Sequence, residues 1–139
     1  MQVSVLRPFL LIMSIFLAQN LMAQDSIRVK SIYFGGGSYY IDEEQITELH
    51  RFIDSIEDPE NYQITITSHT DNIGGVAYNK WLSEMRGGAV IEQLLMKLIE
   101  RERIHLESKG LHDPLYDNNT SLGRRANRRV DVIFTPIMY

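Results

Sequence analysis

The sequence predicts an α/β fold, a two-layer sandwich of order β-α-β-α-β-β with a mixed four-stranded sheet and its helices packed on one face. Three observations predict it. Residues 62–68, Tyr-Gln-Ile-Thr-Ile-Thr-Ser, alternate apolar and polar side chains with the period of a half-buried strand. Ile46, Leu49, Ile53 and Ile56 recur at helical spacing, and so do Ser83, Gly87, Val90, Leu94 and Leu98. Strand-like and helix-like stretches therefore take turns along the chain. Strands joined by a crossover helix run parallel through a right-handed connection, whereas the last strand follows another without a long helix between them and is expected to run antiparallel.

The first 23 residues stand outside this pattern. Arg7 and the amino terminus open the segment with positive charge, Phe9 to Ala18 is a largely apolar stretch of ten residues, and Leu21-Met22-Ala23 closes it on a small residue. This is the layout of a secretory signal peptide cut after Ala23. A run this short falls well below the roughly 20 apolar residues that span a bilayer. The sequence contains no Cys, so neither a lipidated Cys after the cut nor a disulfide is expected. Residues 24–139 then form one domain, large enough to hold together on its own core.

Within that domain, Ile27 to Phe34 is β-branched and aromatic, and Gly35-Gly36-Gly37 ends it as a first strand. The glycines lack the Lys and Ser/Thr of a phosphate-binding loop, so they predict a flexible connection beside a site. Asp42 is placed to cap a helix, with Gln45 three residues on and Ile41 positioned to staple against Ile46; Asp58-Pro59 stops it. His50 lies on this helix beside the apolar stripe, as a residue of the surface or of its border with the core. After the second strand and a short loop, a longer helix runs from about Val76 to about Arg101. Its small members Ser83 and Gly87 predict close approach to the sheet, which gives a reason for a mid-helix Gly that otherwise costs about 1 kcal/mol relative to Ala. Gly88 has no such reason in the sequence. Ile104 to Ser108 predicts a third strand stopped by Gly110, residues 110–127 a polar loop, and Val130 to Phe134 the last strand, ended by Pro136.

The charge balance narrows the function. The whole chain carries a formal charge of −4, and Arg7 is the only charged side chain in the leader, so the domain itself is at −5. An acidic domain argues against a nucleic-acid binder, whose affinity comes mostly from neutralising phosphates. The chemistry-bearing residues gather instead between Ser68 and Arg86. Asp71 lies in the loop and Arg86 on the helix, fifteen residues apart; an anion acceptor and a fork-shaped cation together suit a ligand with both charges. Asn79 lies two helical turns before Arg86 and shares its face. Ser68, His69 and Asp71 invite comparison with a hydrolytic triad, but neighbours on one strand do not converge as triad members do. His69, Asp71 and His112 could be read as a zinc site, yet there is no Cys and no identifiable further ligand. Arg124, Arg125, Arg128 and Arg129 form a basic cluster, whose plain reading is a solvated edge with structural pairs to Asp117 or Asp131.

Three blocks in this chain share a family pattern. Ile66-Thr67-Ser68-His69-Thr70-Asp71 matches a strand ending in Gly-His-Thr-Asp; Asn79, Leu82-Ser83 and Arg86 match Asn-x-x-Leu-Ser-x-x-Arg; and Asn119-Thr120, Gly123-Arg124 and Asn127-Arg128-Arg129-Val130, preceded by Pro114, match Asn-x-Thr-x-x-Gly-Arg-x-x-Asn-Arg-Arg-Val. In these residues the chain resembles the OmpA-like peptidoglycan-binding domain family, over nearly all of Ile27 to Phe134. It departs from the pattern at Ser68, where Gly is usual, at Gly87, where Ala is usual, and at Leu111-His112, where a Gly-rich turn is usual.

The resemblance implies non-covalent binding of the diaminopimelate in the peptidoglycan stem peptide, with no catalysis, no cofactor and no metal. It implies that Asp71 meets the ligand's ammonium and Arg86 its carboxylate, that Asn79 serves either group, and that Thr70 and Thr120 add hydroxyl contacts. It also implies a place at the ligand for one of Arg128 and Arg129; strand alternation puts the two on opposite faces. The expected location is the periplasm, free or docked on an outer-membrane or other envelope protein, with no transmembrane span in the mature chain. The alternative is the same fold with a lapsed site, serving as a non-catalytic scaffold in an envelope complex.

Overall fold

The computed structural model describes residues 26–138. The leader assigned to residues 1–23 lies outside the described residues. The chain forms β1 (Arg28–Tyr33), α1 (Glu43–Asp54), β2 (Tyr62–His69), α2 (Val76–Met96), β3 (Ile104–Gly110), α3 (Ser121–Asn127) and β4 (Arg129–Pro136), with short 3-10 turns before β2 and β3. The sheet order is β1-β4-β2-β3, so the last strand enters the middle. β4 runs antiparallel to both β1 and β2, and β2 runs parallel to β3. β1, β2 and β3 thus share one direction, as the crossover helices require.

Local chemistry explains the elements. Asp42 caps α1 by accepting from the Gln45 backbone N–H at 2.8 Å, and the Gln45 amide returns a bond to the Asp42 carboxylate at 2.8 Å. The same Gln45 side chain also accepts from the Tyr33 N–H at 2.7 Å and donates to its carbonyl at 2.9 Å, which ties the end of β1 to the start of α1. In β2 the predicted alternation holds: Tyr62, Ile64 and Ile66 are buried, while Gln63 is exposed and Thr65 and Thr67 are half-buried. Ile32, Ile64, Ile66, Val130, Val132 and Phe134 pack from the sheet into one apolar cluster with Leu49 and Ile53 of α1 and Val90 and Leu94 of α2.

Gly87 has the packing role expected of it, because a Cβ built there would fall 2.4 Å from Leu106 Cδ1. Gly88 faces open space.

Two expectations need correction. The stretch 110–127 is not loop throughout, since its last seven residues are α3. Thr120 caps that helix by accepting from the Gly123 N–H at 2.9 Å, and Gly123 is obligatory because a Cβ there would lie 1.9 Å from the Asp117 carbonyl oxygen. The long helix also stops at Met96, not near Arg101, and Leu98 leaves the apolar stripe to stand 91 % exposed. Leu98 takes φ +61°, a left-handed conformation, and the next amides turn back: Leu98 N–H to Leu95 O at 2.9 Å and Ile99 N–H to Leu94 O at 3.2 Å. These are the paired bonds of a Schellman stop, formed with a Leu where Gly is usual.

Candidate functional site

The site is built where β2 runs out. The parallel register with β3 slips between Ser68 and His69, so that His69 pairs with Gly110. The Thr70 N–H donates to the Gly110 carbonyl at 2.8 Å, and the Gly110 N–H donates to Ser83 Oγ of α2 at 3.1 Å. Ser83 therefore does more than lie close: it bonds helix to strand. The loop that follows is held from both sides. Asp71 Oδ1 accepts from the Ile73 N–H at 3.0 Å, and Asn79 Nδ2 donates to the carbonyls of Ile73 at 3.0 Å and Gly75 at 3.2 Å.

The Asp71 carboxylate pairs directly with one guanidinium, and its charge acts on a second, that of Arg86. Arg128 Nη1 lies 3.1 Å from Asp71 Oδ2, and Arg128 Nε donates to the Phe34 carbonyl at 3.0 Å. The Asp71 side chain is 8 % exposed and that of Arg128 17 %, so the pair is largely out of water. Arg86 is fully buried beneath it. Its three nitrogens donate to the carbonyls of Ser38 (Nε, 2.8 Å), His69 (Nη1, 3.2 Å) and Gly35 (Nη2, 2.9 Å), and its guanidinium lies 5.1 Å from the Phe34 ring centre. Burial pulls the Arg86 pKa down to about 10, against the upward pull of Asp71. It is still cationic at neutral pH. One carboxylate beside two guanidinium groups leaves the cluster with an excess of positive charge, which an added carboxylate would neutralise; the Asp71 oxygens retain lone pairs for a donor.

The structure thus brings together Asp71, Arg86, Asn79, Arg128 and the Thr70 backbone, all at one end of the sheet. The side-chain donors already have local work. Thr70 Oγ1 donates to the Asp71 carbonyl at 3.0 Å. Asn79 Oδ1 is buried without a partner among the described residues.

Arg129 points to the other face of the sheet. Its Nε donates to Asp131 Oδ2 at 3.0 Å and its guanidinium lies 5.9 Å from the Tyr116 ring centre; Arg128 is not its strand neighbour, because it is the C-cap of α3, one residue before β4 begins. Thr120 is taken up by the cap of α3 and is exposed. His69 is buried near Arg129 and Asp131, while His112 is exposed. Among the described residues no three His, Cys, Asp or Glu side chains gather as a metal site would need.

The sequence did not reveal the part played by Gly35 and Ser38, because they act through backbone carbonyls that no residue type announces. Asn127 was visible only as a motif position. Its amide clamps the preceding loop, accepting from the Tyr116 N–H at 3.1 Å and donating to the Tyr116 carbonyl and Asn118 Oδ1, each at 2.9 Å.

Comparison with known proteins agrees with this architecture. The model of the OmpA family matches residues 33–128. Outer membrane protein A of Bordetella avium is 44% identical over 69 residues, covering 50% of this chain and 36% of that protein. The peptidoglycan-binding protein ArfA of Mycobacterium tuberculosis is 31% identical over 85 residues, covering 61% of this chain and 26% of that protein. The chain therefore spans about a quarter to a third of the length of these two relatives. Among solved structures, the peptidoglycan-associated lipoprotein of Burkholderia pseudomallei superposes with a TM-score of 0.71 at 24% identity, covering 76% of this chain and 90% of that one. The C-terminal domain of MotB from Helicobacter pylori gives a TM-score of 0.68 at 19% identity, covering 78% of this chain and 85% of that one. At these identities the structural matches speak for the fold.

Proposed function

The chain belongs to the OmpA family, and from that premise we propose that it binds peptidoglycan without covalent chemistry, gripping the diaminopimelate of the stem peptide and so tethering or organising the envelope on the cell wall. The observation that carries this reading is the Asp71 carboxylate held almost out of water against Arg128, with the buried Arg86 close enough for their charges to interact. Diaminopimelate offers an ammonium and a carboxylate on its free end. Asp71 pairs with the ammonium, and the excess positive charge of the two arginines receives the carboxylate.

The division of labour between the arginines differs from a simple two-point clasp. Arg128 is the accessible member, with an Nη2 beyond the bonds that Nε and Nη1 already make. Arg86 supplies charge from below and fixes the rim through the carbonyls of Gly35, Ser38 and His69. A direct bond from Arg86 to the ligand would replace the Gly35 and Ser38 carbonyls, which a glycine-rich loop can yield. In this reading the chain works in the periplasm, as a secreted protein cut after Ala23, and Arg129 supports the sheet rather than the ligand.

Retention on purified wall sacculi tests the proposal. Wild-type protein is retained, Asp71→Ala abolishes retention, and Arg128→Ala weakens it by about tenfold or more, the loss expected of a charge-assisted hydrogen bond. Sacculi whose stem peptides carry lysine lack the second carboxylate and should retain the protein less. Rising salt weakens binding, though less than for an exposed ion pair. Undiminished retention of Asp71→Ala would refute the site, and equal retention on both wall types would refute the specificity.

A further inference from the structure

Beside the charged cluster stands a set of aromatic rings with no role in the core. Tyr39, Tyr78 and Trp81 are 44%, 44% and 46% exposed. Trp81 meets Tyr39 at a centroid distance of 6.1 Å with the rings at 87°, and Tyr78 at 5.8 Å with the rings at 36°. One edge-to-face and one tilted contact brace the three rings against one another, and each residue is still close to half exposed. Exposing three such rings together forgoes apolar burial that a neutral surface would not need.

The rings are fixed to the same backbone as the charged site. Tyr39 follows Ser38, whose carbonyl accepts from Arg86, and Tyr78 precedes Asn79, which pins the Asp71 loop. Tyr78 also underlies that loop, since a Cβ built on Gly74 would meet its ring at 2.9 Å, and its hydroxyl lies 3.3 Å from where a Gly37 Cβ would be. Tyr78 therefore stands against both loops that border the charged site, and its hydroxyl acts electrostatically on Arg86.

We propose that Tyr39, Tyr78 and Trp81 form a carbohydrate-stacking shelf that takes a pyranose ring of the wall's sugar strand while the stem peptide sits at Asp71. The inference rests on the wall-binding reading above, because the stem peptide is covalently joined to that strand and a seated peptide brings a sugar with it. The chemistry matches. The face of an aromatic ring is electronegative and attracts the slightly positive C–H groups on the flat side of a pyranose, and the tyrosine hydroxyls bond its oxygens. The shelf residues carry no charge, so they suit a neutral ring rather than the ionic end of the stem.

The single Trp of the chain makes the test direct. The full chain is titrated with two probes, a disaccharide bearing the diaminopimelate stem peptide and the same peptide without sugar. The disaccharide-peptide should bind about three- to tenfold more tightly, the range that one stacking contact supplies, and should shift Trp81 emission where the free peptide leaves it unchanged. Measured by calorimetry, Trp81→Ala and Tyr39→Ala should bring the two affinities together by weakening only the disaccharide-peptide. Equal binding of both probes by the wild-type chain would overturn the shelf while leaving the charged site standing. Binding of neither probe would overturn both. Equal losses of both probes in Trp81→Ala would also overturn the shelf, since they would mark a structural role.

Discussion

The two ends of the sheet bury different kinds of side chain. Toward the start of β2 and the end of β4 the interior is Tyr62, Ile64, Phe134, Ile53, Leu94 and Ile104, and Phe134 meets Phe52 and Tyr62 edge to face. Toward the other end lie the buried polar residues: Ser68, His69, Thr70 and Asp71 where β2 runs out, Asn79, Ser83 and Arg86 on the first half of α2, and Asn127 and Arg129 where β4 begins. Apolar burial stabilises without regard to direction, whereas a buried polar group must find a partner at a fixed distance or cost about 1–3 kcal/mol. One end thus supplies stability and the other supplies shape. The polar end is costly to build, and that is where the proposed binding site sits.

Substitutions at the two ends sharpen this contrast. The largest effect is expected from Arg86→Ala, which strands the carbonyls of Gly35, Ser38 and His69 and leaves Asp71 with one cation fewer. Urea denaturation should show a loss of about 3–5 kcal/mol, and wall retention should vanish even under conditions where the variant is folded. Phe134→Ala should cost a similar amount, about 3–5 kcal/mol, yet leave retention of the folded fraction intact. If both variants bind alike, the division between ends fails.

Smaller effects come from the adjacent glycines of α2. Gly87→Ala drives a Cβ into Leu106 and should destabilise by about 1–2 kcal/mol. Gly88→Ala meets nothing within 4 Å and should stabilise by about 0.5–1 kcal/mol through helix propensity alone. Opposite signs at neighbouring positions, read from the same denaturation curves, are the expected outcome.

The smallest change is expected with pH, since one group carries it. Burial lowers the His69 pKa, Arg129 and Lys109 lower it further, and Asp131 and Asp113 oppose them. The folded chain therefore binds fewer protons than the unfolded chain below about pH 6.5, and stability should fall as pH drops through that point. Stability curves at pH 7.5 and 5.5 check this, and His69→Gln should flatten the difference.

The same contrast governs what could be read in advance. β2 and the cap of α1 were legible because their cues are local: alternation from Tyr62 to Thr67, and Asp42 with Gln45 three residues on. Parallel and antiparallel directions followed from the connections. Helix α3 was not legible, since seven residues with Gly123 in their midst carry no apolar stripe, and only Thr120 marks the start. Nor was the end of α2, where a Leu adopts the left-handed turn that sequence patterns reserve for Gly or Asn. At the site, Asp71, Asn79 and Arg86 are named by type and spacing, whereas the family resemblance alone points to Arg128, and only as one of a pair with Arg129. The partners of Arg86 and Arg128 are mainly backbone carbonyls from distant segments, which residue type does not encode.

Strand β4 lies between β1 and β2, yet it is the last of the four to be synthesised. Until residues 129–136 emerge from the ribosome, β1 has no neighbour and the buried faces of β2 and both long helices lack their central partner. Closure joins Arg28 to Phe134 across almost the whole domain, a pairing whose sequence separation slows folding. The pair around Asp71 likewise cannot assemble before Arg128 arrives.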